Sequence, residues 1–147
     1  MLKNNRFITK LLSVQEGSNF VDSKVELPDG TKVYLSDYIG NGHYVLVNIW
    51  ASWCGACIAE LPEIRNAGAK YASTNLKLLS ISIDRDRQNW EKALKRLGLP
   101  WTQVLADYSF VNSYGINKIP VLMLISPDGI ILKRNFSIED LNRLFQN

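Results

Sequence analysis

The run Tyr44–Trp50, YVLVNIW, is apolar at every position except Asn48. A strand with one face in water alternates polar and apolar residues. A run without alternation belongs to a strand covered on both faces, as in parallel sheets with helices above and below. The rest of the chain supplies those helices. Ile58, Leu61, Ile64, Ala67 and Tyr71 recur at helical spacing, which predicts a helix over 57–71, kinked at Pro62. An apolar strand follows over 76–83, then an amphipathic helix over 88–97 stopped by Gly98 and Pro100. A short strand Thr102–Leu105, a short helix over 108–114, a strand Val121–Ile125 and a returning strand over 130–133 come next. The turn Pro127-Asp128-Gly129 joins the last two strands, and Ser137 is placed to cap a final helix Ile138–Phe145. Upstream, 24–35 reads as a hairpin about Pro28-Asp29-Gly30, with a short helical turn at Ser36-Asp37-Tyr38. Alternating strands and helices predict an α/β fold with a central sheet flanked by helices. The core is parallel, and the late hairpin adds antiparallel edge strands.

A chain of 147 residues suits one domain and buries a core without staples. Residues 1–16 form a polar, amphipathic lead-in, and the domain occupies 17–147. The net charge of +3, from 17 basic and 14 acidic residues, is too mild to point to nucleic acid. Lys92, Lys95 and Arg96 sit at helical spacing beside Ala93, Leu94 and Leu97, the pattern of a solvated helix face. No apolar run approaches the roughly 20 residues of a spanning helix. In the first twelve residues the apolar pairs Phe7–Ile8 and Leu11–Leu12 are too short for the core of an export signal.

The two cysteines, Cys54 and Cys57, lie three positions apart. A bridge closing so small a ring constrains little of the unfolded chain, so a purely structural disulfide is a weak reading. Structural zinc needs four ligands, and besides these thiols the chain has a single histidine, His43, which reads as a surface residue in a Gly-rich loop. A redox pair remains. Its place between a buried strand and a helix gives it a physical basis. N–H groups at a helix N-terminus lack intrahelical partners and face what precedes them, so a Cys54 thiolate is stabilised and its pKa falls below the ordinary ~8.5. Cys57, one turn on, is near enough to resolve a mixed disulfide at Cys54. Gly55 and Ala56 are small and leave a partner room. Trp53 reads as rim, Trp50 as core, and Trp90 and Trp101 as packing.

The segment Trp50-Ala51-Ser52-Trp53-Cys54-Gly55-Ala56-Cys57 resembles the active-site signature of the thioredoxin superfamily. The stretch from Leu27-Pro28-Asp29-Gly30 through Leu35-Ser36-Asp37-Tyr38, ahead of the apolar strand, narrows the resemblance to the TlpA/ResA-like thiol–disulfide oxidoreductases, which include the cytochrome c maturation reductases. It covers roughly 17–145. It implies a thioredoxin-like fold with an N-terminal β-hairpin and an extra βα insertion, and a role in redox homeostasis. It also implies a place in the periplasm or another extracytoplasmic space, with a membrane tether where a longer precursor supplies one. Ile119-Pro120 matches the family's cis-proline loop, which lies against the cysteines and helps bind extended substrate; a cis X–Pro bond costs little. Glu60 matches a glutamate three residues after the second cysteine in the ResA-like branch, sharing a helix face with Cys57. A solvent-exposed first-turn Glu favoured by the helix dipole explains the same residue equally well. Asn48 stands where thioredoxins have a buried aspartate, which removes their usual proton acceptor.

The expected activity is dithiol–disulfide exchange with protein disulfides, in the direction of reduction. Cys54 attacks, Cys57 resolves, Glu60 handles a proton, and Trp53, Gly55, Ala56, Ile119 and Pro120 contact substrate. No metal, nucleotide or organic cofactor is required. The expected partners are a substrate protein and an upstream dithiol electron donor, with the chain acting as a monomer. Two other readings rank lower. A thiol peroxidase on the same fold needs a threonine and an arginine around its cysteine, and 47–57 contains neither. A copper-binding chaperone of this fold spaces its cysteines one residue wider and adds a later histidine, and none follows Cys57.

Overall fold

The computed structural model describes residues 15–146. The expected lead-in and its apolar pairs therefore lie outside the described residues, apart from Gln15 and Glu16. The strands are β1 (Lys24–Glu26), β2 (Lys32–Tyr34), β3 (Tyr44–Trp50), β4 (Leu76–Ser82), β5 (Thr102–Leu105), β6 (Val121–Ile125) and β7 (Ile131–Arg134). The helices are α1 (Gly55–Ala59), α2 (Leu61–Lys70), α3 (Arg87–Leu97), α4 (Tyr108–Ser113) and α5 (Ile138–Phe145), with single 3₁₀ turns at Leu35–Asp37 and Ala72–Thr74.

One sheet runs in the order β2-β1-β5-β4-β3-β6-β7. β3, β4 and β5 are parallel, and β6, β7, β1 and β2 add antiparallel pairings. This is the expected α/β, thioredoxin-like architecture. The N-terminal hairpin joins at β5, and the α3–β5–α4 segment stands between the β3–α–β4 and β6–β7–α5 units. Two details differ from the sequence reading. β6 is not an edge strand: it pairs with β3 along Val45↔Ile125 to Ile49↔Val121, and only β7 lies outside it. The returning strand starts at Ile131, one residue late, because Ile130 takes part in the turn and donates its N–H to the Ser126 hydroxyl.

The two covered faces of β3 account for its lack of alternation. Val45, Val47 and Ile49 enter a cluster with Leu79, Ile81, Met123, Phe110 and Tyr114. Leu46 faces the opposite way, against Leu61, Ile64 and Ala67 of α2 and Leu141 of α5. Four residues further on, Trp50 is fully buried with Trp90, Ala93, Cys54 and Cys57. The end of β3 thus carries the cysteines on a core of its own.

The expected single helix over 57–71 is two. α1 ends at Ala59, and its C-cap Glu60, with φ −88° and ψ −8°, is also the N-cap of α2. Pro62 causes the break: it has no N–H to continue the ladder, and it sits in the first turn of α2 where none is needed. The ladder resumes at Ile64 N–H, which donates to the Glu60 carbonyl at 3.1 Å.

Candidate active site

The cysteine loop is anchored before it reaches the cysteines. At the end of β3, Ile83 N–H donates to the Trp50 carbonyl at 2.9 Å, holding the ends of β3 and β4 together. Ser52 is then clamped by Asp84, which is only 5% exposed. The Ser52 N–H reaches both Asp84 carboxylate oxygens, at 3.0 and 3.2 Å. The hydroxyls of Ser52 and Ser82 each donate to the same carboxylate at 2.6 Å. The chain then turns tightly, Cys54 N–H donating to the Ala51 carbonyl at 3.0 Å.

Cys54 is the N-cap of α1, in extended conformation, and its Sγ accepts the Cys57 N–H at 3.2 Å. An unpaired helix-terminal N–H therefore points at the sulfur, as the strand-to-helix junction predicts. The two cysteines are joined in a disulfide, with Cα atoms 5.2 Å apart. Cys54 keeps 8% exposure and Cys57 none. Gly55 and Ala56 are exposed, and a Cβ on Gly55 would meet nothing within 4 Å, so this side of the disulfide is open. Trp53 is 69% exposed beside it.

Register places the proline. Ile49 pairs with Val121, so the residues just before β6 come opposite the end of β3. The Ile119–Pro120 bond is cis, and Ile119 packs against the cluster holding Trp50 and both cysteines. Pro120 and Glu60 line one cleft of about 510 Å³, together with Glu63, Lys118 and Arg134. Glu60 is half-buried, and its Oε1 is enclosed without a hydrogen-bond donor. Burial, with a smaller push from the Glu63 charge, raises its pKa above the usual carboxylate value. A freely solvated first-turn Glu would not be placed in this way.

Asn48 is buried, takes a hydrogen bond from the Ser80 hydroxyl, and titrates nothing. Trp101 donates its indole N–H to the same Ser80 oxygen at 2.7 Å. Trp50 and Trp90 are core. His43 is half-buried rather than on the surface, with Nε2 3.1 Å from the Tyr38 carbonyl. The Asp84 clamp escaped the sequence reading. Its one signal was a serine two residues before an aspartate at a strand end, a pattern shared with ordinary loop starts.

Comparison with known proteins agrees with this geometry. The Redoxin family matches residues 15–143. The thiol-disulfide oxidoreductase ResA of Geobacillus thermodenitrificans is 30% identical over 128 residues, which span 86% of this chain and 72% of that protein. ResA of Bacillus subtilis is 27% identical over 122 residues, 82% of this chain and 67% of that protein. Among solved structures, the thioredoxin domain of a thiol-disulfide oxidoreductase from Bacteroides vulgatus superposes with a TM-score of 0.80 at 27% identity, covering 91% of this chain and 97% of that one. The family match over most of the chain and the similarity to thiol-disulfide oxidoreductases in both sequence and fold agree, and the chain belongs to the Redoxin family as a ResA-like thiol–disulfide oxidoreductase.

Proposed function

We propose that the chain reduces disulfides of partner proteins, with Cys54 as nucleophile, Cys57 as resolving thiol and Glu60 as the group that takes the resolving proton. The observation that carries the assignment is the asymmetry of the pair: Cys54 is the residue with surface exposure and holds the helix-terminal N–H, while Cys57 is sealed. In the reduced enzyme the Cys54 thiolate attacks one sulfur of a substrate disulfide. That S–S bond breaks, the second substrate sulfur leaves as thiolate, and a mixed disulfide forms. Cys57 gives up its proton and attacks the Cys54 sulfur, expelling the first substrate sulfur. The substrate gains two electrons and two protons, one proton released by Cys57 and one from water, and the enzyme is left as the Cys54–Cys57 disulfide. An upstream dithiol donor returns it to the reduced state.

Trp53, Gly55 and Ala56 supply the exposed face, and Ile119 and Pro120 the edge on which an extended substrate chain can pair. Asn48 offers no proton acceptor, and burial raises the Glu60 pKa in the direction a general base requires. The resemblance to exported relatives supports action outside the cytoplasm, as a monomeric domain over 17–147 tethered where a longer precursor provides an anchor. Among the described residues no helix is long and apolar enough to cross a membrane.

The test is a pair of serine variants. Cys54→Ser abolishes disulfide reduction and captures no partner. Cys57→Ser accumulates a mixed disulfide that dithiothreitol releases. Retained turnover in Cys54→Ser, or capture by Cys54→Ser and not by Cys57→Ser, reverses the roles.

A further inference from the structure

Asn48 is 1% exposed, and half of its amide is unmet. Its Oδ1 accepts the Ser80 hydroxyl, and the Ser80 oxygen accepts the Trp101 indole N–H at 2.7 Å. An indole nitrogen only donates and a hydroxyl has one proton to give, so the chain runs one way, from Trp101 through Ser80 to Asn48 Oδ1. The Nδ2 group has no acceptor among the described residues. A buried donor left without a partner is costly, and in a folded protein it calls for a reason.

The sheet shows which way that donor faces. Ser80 is the β4 neighbour of Asn48 and draws Oδ1 to its side. Nδ2, across the planar amide from Oδ1, is therefore turned toward β6, where Leu122 is the neighbour. This side of β3 is covered by α1 and α2. Leu46, two residues before Asn48 on the same face, packs with Leu61 and Ile64 of α2 and with Leu122. Trp50, two residues after it, packs with Cys54 and Cys57. Asn48 thus lies opposite the stretch from Cys57 to Leu61, and Cys57 is the group there that gains from a donor. It is sealed, and burial disfavours a thiolate without a hydrogen bond. The helix-terminal N–H is already spent: the Cys57 N–H donates to Cys54 Sγ.

We propose that Asn48 Nδ2 donates to the Cys57 thiolate while that thiolate attacks the Cys54 sulfur, and that Ser80 and Trp101 are positioning residues that hold the amide so turned. In the oxidised pair the Cys57 sulfur is uncharged and the donor is unspent. In the mixed disulfide the Cys57 proton leaves for Glu60, the amide meets the charge left behind, and the first substrate sulfur departs as thiolate when the Cys54–Cys57 bond forms. A carboxylate at position 48 could take the proton but would then stand charged against the thiolate; an amide cannot take it and favours the charge. The titratable groups on the segment of Cys57 are Cys54 and Glu60. β3, α3 and the cis-proline loop face it with Trp50, Trp90 and Ile119, which carry no charge. Glu63, Lys118 and Arg134 lie in the cleft with Glu60, and Asp84 is held on Ser52. Trp50 and Trp90 are the rival donors, since their indole N–H groups are also unpaired in the cluster that holds the cysteines. The role rests on the exchange reading above and adds how a sealed thiol forms the resolving thiolate.

The test is stopped-flow reaction of the reduced protein with dithiobis(nitrobenzoate) across pH. Attack by Cys54 releases one coloured thiolate, and resolution by Cys57 releases the second. The midpoint of the second phase belongs to Cys57 and Glu60 together, and Glu60 is present in every variant. Asn48→Leu keeps the volume and removes the donor. Its first phase is unchanged, and its second is about tenfold slower on the acid limb, with the midpoint about one pH unit higher and the same plateau at high pH. Ser80→Ala frees the amide to turn and moves the midpoint the same way by less, while Ser80→Thr keeps the hydroxyl and the wild-type midpoint. Trp50→Phe and Trp90→Phe leave the midpoint in place. A second phase in Asn48→Leu that superimposes on wild type overturns the donor role, as does a midpoint that moves as far with either indole variant. Should Asn48→Leu not fold, equal midpoints in Ser80→Ala and Ser80→Thr overturn it. Release of a single coloured thiolate by wild type is a different failure, that of the exchange reading itself.

Discussion

Asp84→Ala tests whether the clamp on Ser52 holds the cysteine loop in place. The carboxylate receives three donors, the Ser52 N–H and the hydroxyls of Ser52 and Ser82, all within 3.2 Å. A hydrogen bond to a charged group contributes about 1.5–3 kcal/mol net, so simple addition gives roughly 4–9 kcal/mol. Two effects lower that sum. Removing the carboxylate also removes the cost of burying it, and a buried ionic group is worth less than its contacts suggest. Asp84 also lines a solvent-open cleft of about 1150 Å³ beside Trp53, so its removal opens a path for water toward the freed Ser52 N–H. A net loss of about 3 kcal/mol is expected, which for a chain of this size lowers Tm by roughly 6–12 °C. Urea unfolding of the oxidised protein, with the slope checked for constancy, measures it. Asp84→Asn keeps the shape and one acceptor oxygen and is expected to lose less. A functional readout separates a clamp on the active site from general stabilisation: iodoacetamide alkylation of reduced Cys54 across pH. A loosened loop no longer holds the sulfur against the Cys57 N–H, so the Cys54 titration moves toward the value of an ordinary thiol. Unfolding curves within 0.5 kcal/mol of wild type together with superimposable alkylation profiles would refute the reasoning.

Glu60→Gln addresses the half-buried carboxyl. Its folded pKa is raised by burial, so between the ordinary carboxylate range near 4.3 and its own folded value the native chain holds a proton that the unfolded chain has released. Stability therefore falls as pH rises through that window; the variant lacks this fall, is the more stable at pH 7, and resolves mixed disulfides more slowly, by roughly 10²-fold or less. Parallel stability curves from pH 4 to 8, or equal resolution rates, count against it. Gly68→Ala probes the contact of α2 with the sheet, where a Cβ would come 2.5 Å from Leu78 Cδ1 and 2.9 Å from its Cγ. Helix propensity favours Ala by about 1 kcal/mol, but overpacking costs about 1–3. A net destabilisation in urea is expected, relieved in the Leu78→Ala background, and a stabilised single variant contradicts it.

How far the sequence carried depended on whether a residue's position followed from local rules. β3, β5, β6 and α5 begin and end where their apolar patterns do, because burial on one or both faces fixes those patterns. The cysteine pair was legible because strand, turn and helix start are contiguous. Legibility faded where two distant segments meet. Nothing local says that β6 lies inside the sheet, since that follows from its pairing with β3. Nothing local ties Ser52 to Asp84, 32 residues away, or brings Tyr108 to the same cleft as Trp53. The sequence predicts a kink at Pro62, but the effect is larger: one helix ends and another starts, which puts Glu60 at a junction.

That junction sets the surroundings on which the role proposed for Glu60 depends. A carboxylate just ahead of a helix is normally stabilised by the unpaired N–H groups and the macrodipole, which lower its pKa. At Glu60 the opposite outcome holds, and the reason is geometric. Its side chain makes no cap hydrogen bond to α2, and its Oε1 is enclosed without a donor. The field of the helix end is thus present without a hydrogen bond to deliver it, and burial decides the direction. The neutral polar row in the sheet points the same way. Asn48, Ser80 and Gln103 sit side by side on β3, β4 and β5, all buried and none ionisable. Under the proposed mechanism the Cys57 proton is handled at the break that Pro62 makes between α1 and α2 rather than in the sheet. Under that proposal Pro62 acts through Glu60, which the break leaves at the junction of two helices with its carboxyl half-buried and uncapped.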